Sequence, residues 1–265
     1  EEAVSALYRQ MRFYGHKAAG VSVPDPAPWG QQPEPASIWL QQHCGPVGED
    51  ALQLLACYGI PVLPATVAKT ADEAVRSAVR LGFPVVLKVV SPQILHKTEV
   101  KGVLLNVEDE DGVARGFVTI RENLRLYRPG AQFEGVRVAA MAPAGHDLFL
   151  GGLQDPCFGP IAMFGDGGIL VELYQDVERV LCPASLEEII RKIDGLKVAK
   201  IFAGIRGQKP LDPIPFAQSI LALSHMLVNH QEIREIDINP MRLTVSGQIY
   251  ALDARLQVAA RHAPA

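Results

Sequence analysis

Apolar residues recur along this chain at two periods, and the switches between them lay out its elements. Val4, Leu7, Tyr8, Met11 and Tyr14 stand three or four positions apart, which predicts an amphipathic helix over residues 3–18. The period is then lost. Pro24, Pro26, Pro28, Pro33 and Pro35 crowd a segment that begins at Gly20, so residues 20–47 read as a Pro/Gly-rich linker ahead of a compact region that starts at Gly48. A short helix is expected over 49–58 and closed by Gly59, followed by extended chain over 60–67. Thr70 and Glu73 have capping-box spacing for a helix that runs to Leu81 and stops at Gly82. Val85-Val86-Leu87-Lys88-Val89-Val90 is β-branched and almost wholly apolar, the pattern of a strand buried on both faces.

Further strands are predicted at 103–107, 135–141, 149–153 and 160–164, with helices at 112–124, 186–194 and 214–229. The last part reads as three short strands, 233–238, 241–244 and 248–252, in an antiparallel meander broken at Pro240 and Ser246-Gly247. Helices and strands mix without strict βαβ alternation, so the fold class is α+β.

Length allows one large domain or two lobes around a cleft, and 48% hydrophobic residues against 20% charged exclude a largely disordered protein. A net charge of −4 supplies no basic footprint for nucleic acid or anionic membrane. No apolar run is long enough to span a bilayer and no signal pattern opens the chain, which indicates a cytoplasmic protein. Cys44, Cys57, Cys157 and Cys182 form no CxxC pair, so neither zinc site nor disulfide framework is indicated. The opening Glu1-Glu2-Ala3 lacks an initiator Met, as expected of a processed product or an excised piece of a longer chain.

Four segments carry candidate chemistry. Lys88 is a lone cation within an apolar strand, where an unpaired charge is costly, so it either reaches a partner or ligand or snorkels from the strand end. His96-Lys97-Thr98 in the following loop offers phosphate donors and an imidazole nucleophile, although a polar surface loop has the same composition. Gly151-Gly152 and Phe164-Gly165-Asp166-Gly167-Gly168 allow close backbone approach to phosphates, or simply make turns. Neither a P-loop nor a Rossmann fingerprint is present. Glu235, Asp237 and Asn239 lie on one face of a strand by the period of two, and with Asp253 nearby they suit Mg²⁺ held against nucleotide phosphates, or form a solvated polar face.

In order, Tyr58-Gly59-Ile60-Pro61-Val62, Phe83 to Lys88, His96-Lys97-Thr98, Asp155-Pro156 with Phe158-Gly159-Pro160, Arg206-Gly207 with Asp212, and Asp237-Ile238-Asn239-Pro240 resemble the ATP-grasp domain of ADP-forming (NDP-forming) acyl-CoA synthetases. The resemblance covers about 48–258 and implies an ATP-grasp fold, with lobes at 48–128 and 129–265 on either side of a nucleotide cleft. It makes residues 1–19 similar to the last helix of a preceding CoA-ligase domain. It implies ATP or ADP with Mg²⁺ as cofactors, and a CoA-ligase domain or subunit as partner whose phosphohistidine exchanges a phosphoryl group with the nucleotide. Lys88 is similar to the phosphate-contacting lysine, and His96 to a histidine that serves some members as a second phosphoryl carrier. Asn239 and Asp253 match metal ligands, with Asp237 beside them. Lys97, Thr98 and Arg206 fall among the nucleotide-binding positions, as do Val138, Ala140 and Met141, which are placed like the adenine-reading hinge. Asp147 stands where relatives carry a Glu for the ribose, and Lys101 where they carry Gly. The alternative is a non-catalytic nucleotide-binding or regulatory domain, as in fused protein lysine acetyltransferases that resemble these synthetases.

Overall fold

The computed structural model describes residues 33–94, 96–167, 176–204 and 210–260. The helix predicted over 3–18 and most of the predicted linker lie outside the described residues. The rest of that linker is structured and packed rather than a free tether. Residues Glu34–Gln42 form helix α1, which buries Ala36, Trp39 and Leu40 on one face, and Gly45–Val47 form strand β1. Pro33 at its N-cap suits a helix start, where its missing N–H costs nothing.

The elements that follow are α2 (Ala51–Cys57), β2 (Ala65–Ala68), α3 (Ala71–Leu81), β3 (Val85–Val90), β4 (Val103–Val107), α4 (Glu110–Tyr127) and β5 (Gly135–Ala140). After them come β6 (Gly145–Asp155), β7 (Gly159–Asp166), β8 (Val177–Leu181), α5 (Leu186–Asp194), α6 (Ala199–Phe202), α7 (Ile214–Asn229), β9 (Ile233–Thr244), β10 (Ile249–Ala251) and β11 (Arg255–Val258). Local signals fix several helix starts. The Thr70 hydroxyl accepts the Glu73 N–H at 3.2 Å, the Asp109 carboxylate the Gly112 N–H at 2.6 Å, and the Ser185 hydroxyl the Glu188 N–H at 3.1 Å.

Two sheets result, consistent with an α+β chain. One has the order β2-β5-β3-β4, with every pair antiparallel. Its core holds Leu87, Val136 and Val138 from the strands, and Ala74, Ala78, Phe117, Ile120 and Leu124 from α3 and α4. The larger sheet has the order β1-β11-β9-β6-β7-β8, with β10 hairpinned onto β9, and packs against α5 and α7. Its core also takes Trp39, Leu54, Leu55, Tyr58 and Ile60. The division between the cores therefore does not follow residue 128: β5 completes the smaller sheet, and residues 36–60 pack with the larger one.

The predicted terminal meander is also revised. Residues 233–244 form one strand, and a further strand, β11, pairs with it. Pro240 does not end β9 because the ladder to β6 shifts there: Ile238 pairs with Leu150 and Met241 with Leu148, so Asn239 and Pro240 together face Phe149. In such a bulge a missing N–H breaks no regular pair. The Asn239–Pro240 peptide bond is cis.

Candidate functional site

Charged groups from distant parts of the chain meet between the two sheets. β3 carries Lys88 outward from the smaller sheet, where its ammonium pairs with the Glu49 carboxylate and donates to the Leu252 carbonyl at 2.9 Å. The lone cation in an apolar strand has thus been placed against the far end of the chain. Glu49 is buried, and it also faces Arg137 Nε at 3.2 Å and Lys97 Nζ at 3.8 Å. A second guanidinium nitrogen of Arg137 reaches Asp50 at 2.6 Å. Lys97 Nζ lies 3.8 Å from Asp253 Oδ1 as well.

Residues 97–102 fold back on themselves. The Lys101 N–H donates to the Thr98 carbonyl at 3.0 Å and the Gly102 N–H to the Lys97 carbonyl at 2.8 Å. His96 and Thr98 are exposed, and His96 Nδ1 lies 3.4 Å from the Arg255 guanidinium. Lys101 holds φ +48, the left-handed region that favours Gly, and sets its ammonium 5.2 Å from the Tyr127 ring centre.

β9 supplies the acidic face. Ile236 and Ile238 are buried while Asp237 and Asn239 are partly exposed, as the period of two predicts. Asp237 pairs in register with Arg255 of β11 and Gly151 of β6, and the Leu252 N–H donates to the Pro240 carbonyl at 3.0 Å, which brings Asp253 beside Asn239-Pro240. Burial pushes the Asp237 carboxyl above its usual range, with Arg255 opposing the shift and Asp253 and Glu235 adding to it. Burial likewise raises Asp253, against the pull of Lys97. Asp237 Oδ1 is buried without a hydrogen-bond partner.

These groups fit a hard divalent cation. Among the described residues no cluster of three or more His, Cys, Asp or Glu side chains forms a cation cage. Magnesium, however, is commonly held by one or two carboxylates together with substrate phosphates. An orphaned carboxylate oxygen next to a second carboxylate is such a partial ligand set.

The predicted hinge is more constrained. β5 is flanked on both sides, with Val138 opposite Thr66 and Leu87, so Val138 is interior to the sheet. The Ala140 N–H donates to the Pro64 carbonyl at 3.1 Å and the Met141 N–H to the Pro84 carbonyl at 3.3 Å. Asp147 is gripped through both oxygens by Arg242. Arg206 lies outside the described residues. The glycines of 151–160 serve packing and a turn: Gly152 lies against Leu227, and the Asp155 carboxylate accepts the N–H groups of Cys157 and Phe158 at 2.8 and 2.9 Å. Sequence reasoning missed Glu49 and Arg137. Glu49 sits in a polar turn and Arg137 in an alternating strand, and only the fold puts them opposite Lys88.

Among the described residues no helix is long and apolar enough to cross a membrane. The ATP-grasp domain family matches residues 47–258. The chain is 39% identical over 210 residues to the Pyrococcus furiosus acetate–CoA ligase (ADP-forming) I subunit beta, covering 79% of this chain and 90% of that subunit. It is 40% identical over 201 residues to the Archaeoglobus fulgidus acetate–CoA ligase (ADP-forming) I, covering 76% of this chain but only 29% of that longer protein. Its fold is similar to that of Ca. Korarchaeum cryptofilum acetyl-coenzyme A synthetase 1, at TM-score 0.71 and 33% identity over 84% of this chain and 96% of that one. That protein was solved with coenzyme A and Mg-AMPPCP, its phosphohistidine segment pointing towards the nucleotide binding site.

Proposed function

This chain belongs to the ATP-grasp family of ADP-forming acyl-CoA ligases, and on that premise we propose that it binds magnesium nucleotide between its two sheets and exchanges a phosphoryl group with a phosphohistidine. That histidine belongs to a CoA-ligase partner, a separate subunit or a further domain, and the acyl and CoA sites belong to the partner too. The observation that carries the reading is the meeting of Lys88 with Leu252 and of Lys97 with Asp253. Two cations and a carboxylate from opposite ends of the chain thereby share one space, which supports a phosphate site beside a metal site.

In this reading Lys88 and Lys97 offset the charge of the nucleotide phosphates, where fixed cations in a partly dry site act most strongly. Asp253, Asn239 and Asp237 would hold Mg²⁺, which supplies charge neutralisation at the phosphate oxygens. Asp147 accepts from the ribose hydroxyls while Arg242 fixes its orientation. Adenine is read where the chain leaves β5, at the carbonyls of Ala140 and Met141 and by the Met141 N–H, which exchanges its 3.3 Å hydrogen bond to the Pro84 carbonyl for one to the base. His96, exposed beside Arg255, is the second phosphoryl carrier.

The test is a calorimetric titration of ATP with and without Mg²⁺, on wild type and Lys88→Met. Wild type is expected to bind in a Mg²⁺-dependent manner and the variant to lose at least roughly tenfold in affinity, the scale of one charge-assisted contact. Equal affinities would remove Lys88 from the site and the reading with it. With a reconstituted CoA-ligase partner and radiolabelled ATP, His96→Asn is expected to reduce transfer to the partner. Undiminished transfer would deny His96 a carrier role.

A further inference from the structure

Three cations between the sheets converge on one carboxylate. Glu49 Oε1 meets Lys88 Nζ, and Oε2 faces Arg137 Nε at 3.2 Å and Lys97 Nζ at 3.8 Å. The side chains of Lys88, Lys97 and Arg137 are 17%, 13% and 11% exposed, and that of Glu49 is 3% exposed. This is a built anion site rather than a set of surface ion pairs. Glu49 fills it imperfectly: Oε2 and Arg137 Nε are both buried without a hydrogen bond of good geometry, although their charges face each other. The Leu252 carbonyl, Asp50 and Asp253 each take up one further contact of Lys88, Arg137 and Lys97, and the two ammonium groups and the guanidinium still offer more donors than these and the two Glu49 oxygens accept. A phosphoryl group, with three oxygens and up to two charges, matches them better.

We infer that Lys88, Lys97 and Arg137 form the seat of the transferred phosphoryl group, and that Glu49 occupies this seat as an internal stand-in which bound nucleotide displaces. The inference rests on the proposed role of Lys88 as a nucleotide ligand and adds two residues to it, Arg137 as a phosphoryl contact and Glu49 as competitor. Displacement requires only a side-chain movement, because Glu49 lies in the turn between β1 and α2 rather than inside either element. There is room for it. A cavity of about 380 Å³ adjoins the cluster, lined by Glu49, Asp50, Lys97 and Arg137 together with His43 and Ser91. The arrangement also keeps three like charges together before nucleotide arrives, since without Glu49 they would repel one another in a partly dry site.

The experiment is a titration of the 265-residue chain with ATP and with AMP, in Mg²⁺, for wild type, Glu49→Gln, Arg137→Gln and Lys88→Met. Glu49→Gln removes the competing charge and is expected to tighten ATP roughly tenfold, one charge-assisted contact released, while AMP, which lacks the terminal phosphates, is unchanged. Arg137→Gln is expected to weaken ATP by a similar factor and again to spare AMP. Should Glu49→Gln melt too low to titrate, tripolyphosphate is the second probe, and it is expected to raise the variant's melting temperature more than the wild type's. ATP bound equally or more weakly by a folded Glu49→Gln overturns the inference, as does an ATP affinity untouched by Arg137→Gln. If Lys88→Met weakens ATP in the same series, the proposed function stands although this inference has fallen. If Lys88→Met leaves ATP binding intact, both fall.

Discussion

Replacing Asp237 with asparagine is expected to stabilise the chain in the absence of metal while weakening its response to Mg²⁺. Asp237 carries a buried oxygen with no hydrogen-bond partner, and burial is the main cause of its raised pKa. A buried acceptor left without a partner costs about 1–3 kcal/mol, and more when charged. Asparagine keeps a polar atom in the same place and relieves only the extra cost of the charge, part of which attraction to Arg255 already offsets, so the variant is expected to gain about 1 kcal/mol at neutral pH. For a chain of this size that is about 2–4 °C in melting temperature.

The pH dependence follows from the sign of the shift. The folded-state pKa lies above the ordinary value of 3.8, so the folded wild type takes up its proton more readily than the unfolded chain. Its penalty is complete above the folded pKa and disappears as pH falls towards 3.8, which means the advantage of Asp237→Asn shrinks on acidification. Thermal melts of both proteins at neutral and acid pH, with and without Mg-ATP, provide the measurement. A metal-free variant less stable than wild type at neutral pH would show that Asp237 makes an interaction outweighing its burial, and would refute the argument.

Three other expectations concern separate parts of the chain. A methyl group at Gly145 would stand 2.2 Å from the Leu243 carbonyl oxygen, whereas at Gly152 it would meet the tip of the Leu227 side chain at 2.4 Å. Because backbone yields less than a side chain, denaturant unfolding is expected to rank Gly145→Ala well below Gly152→Ala in stability, and the reverse order would show that β6 shifts freely. Arg242→Ala leaves Asp147 unheld, so calorimetry is expected to show ATP weakened by up to about tenfold and the preference for ATP over its 2′,3′-dideoxy form reduced. Burial pushes the Cys182 thiol up to about 11 while Cys44 and Cys157 are exposed, so alkylation at neutral pH is expected to label those two quickly and the partly exposed Cys182 far more slowly.

Much of this architecture is decided locally and was legible in the residues. The apolar run 85–90, the cap at Thr70, and the periodic stretches 186–194 and 214–229 each determine an element through interactions within a few residues. The alternation around Asp237 likewise put the isoleucines on one face and the polar groups on the other before any fold was known. Pairing is a different matter. Residues 34–42 look like linker because of Pro33 and Pro35, yet Trp39 and Leu40 find a core that only the assembled larger sheet provides. Pro240 reads as a strand end, and a bulge opposite Phe149 carries the strand past it. Glu49 and Arg137 show no motif at all, since a charged residue in a turn or on a strand is ordinary by itself. Their meaning arises from a contact 88 positions apart in sequence, because the electrostatics of a buried cluster depend on which charges the packed sheets bring within a few ångströms.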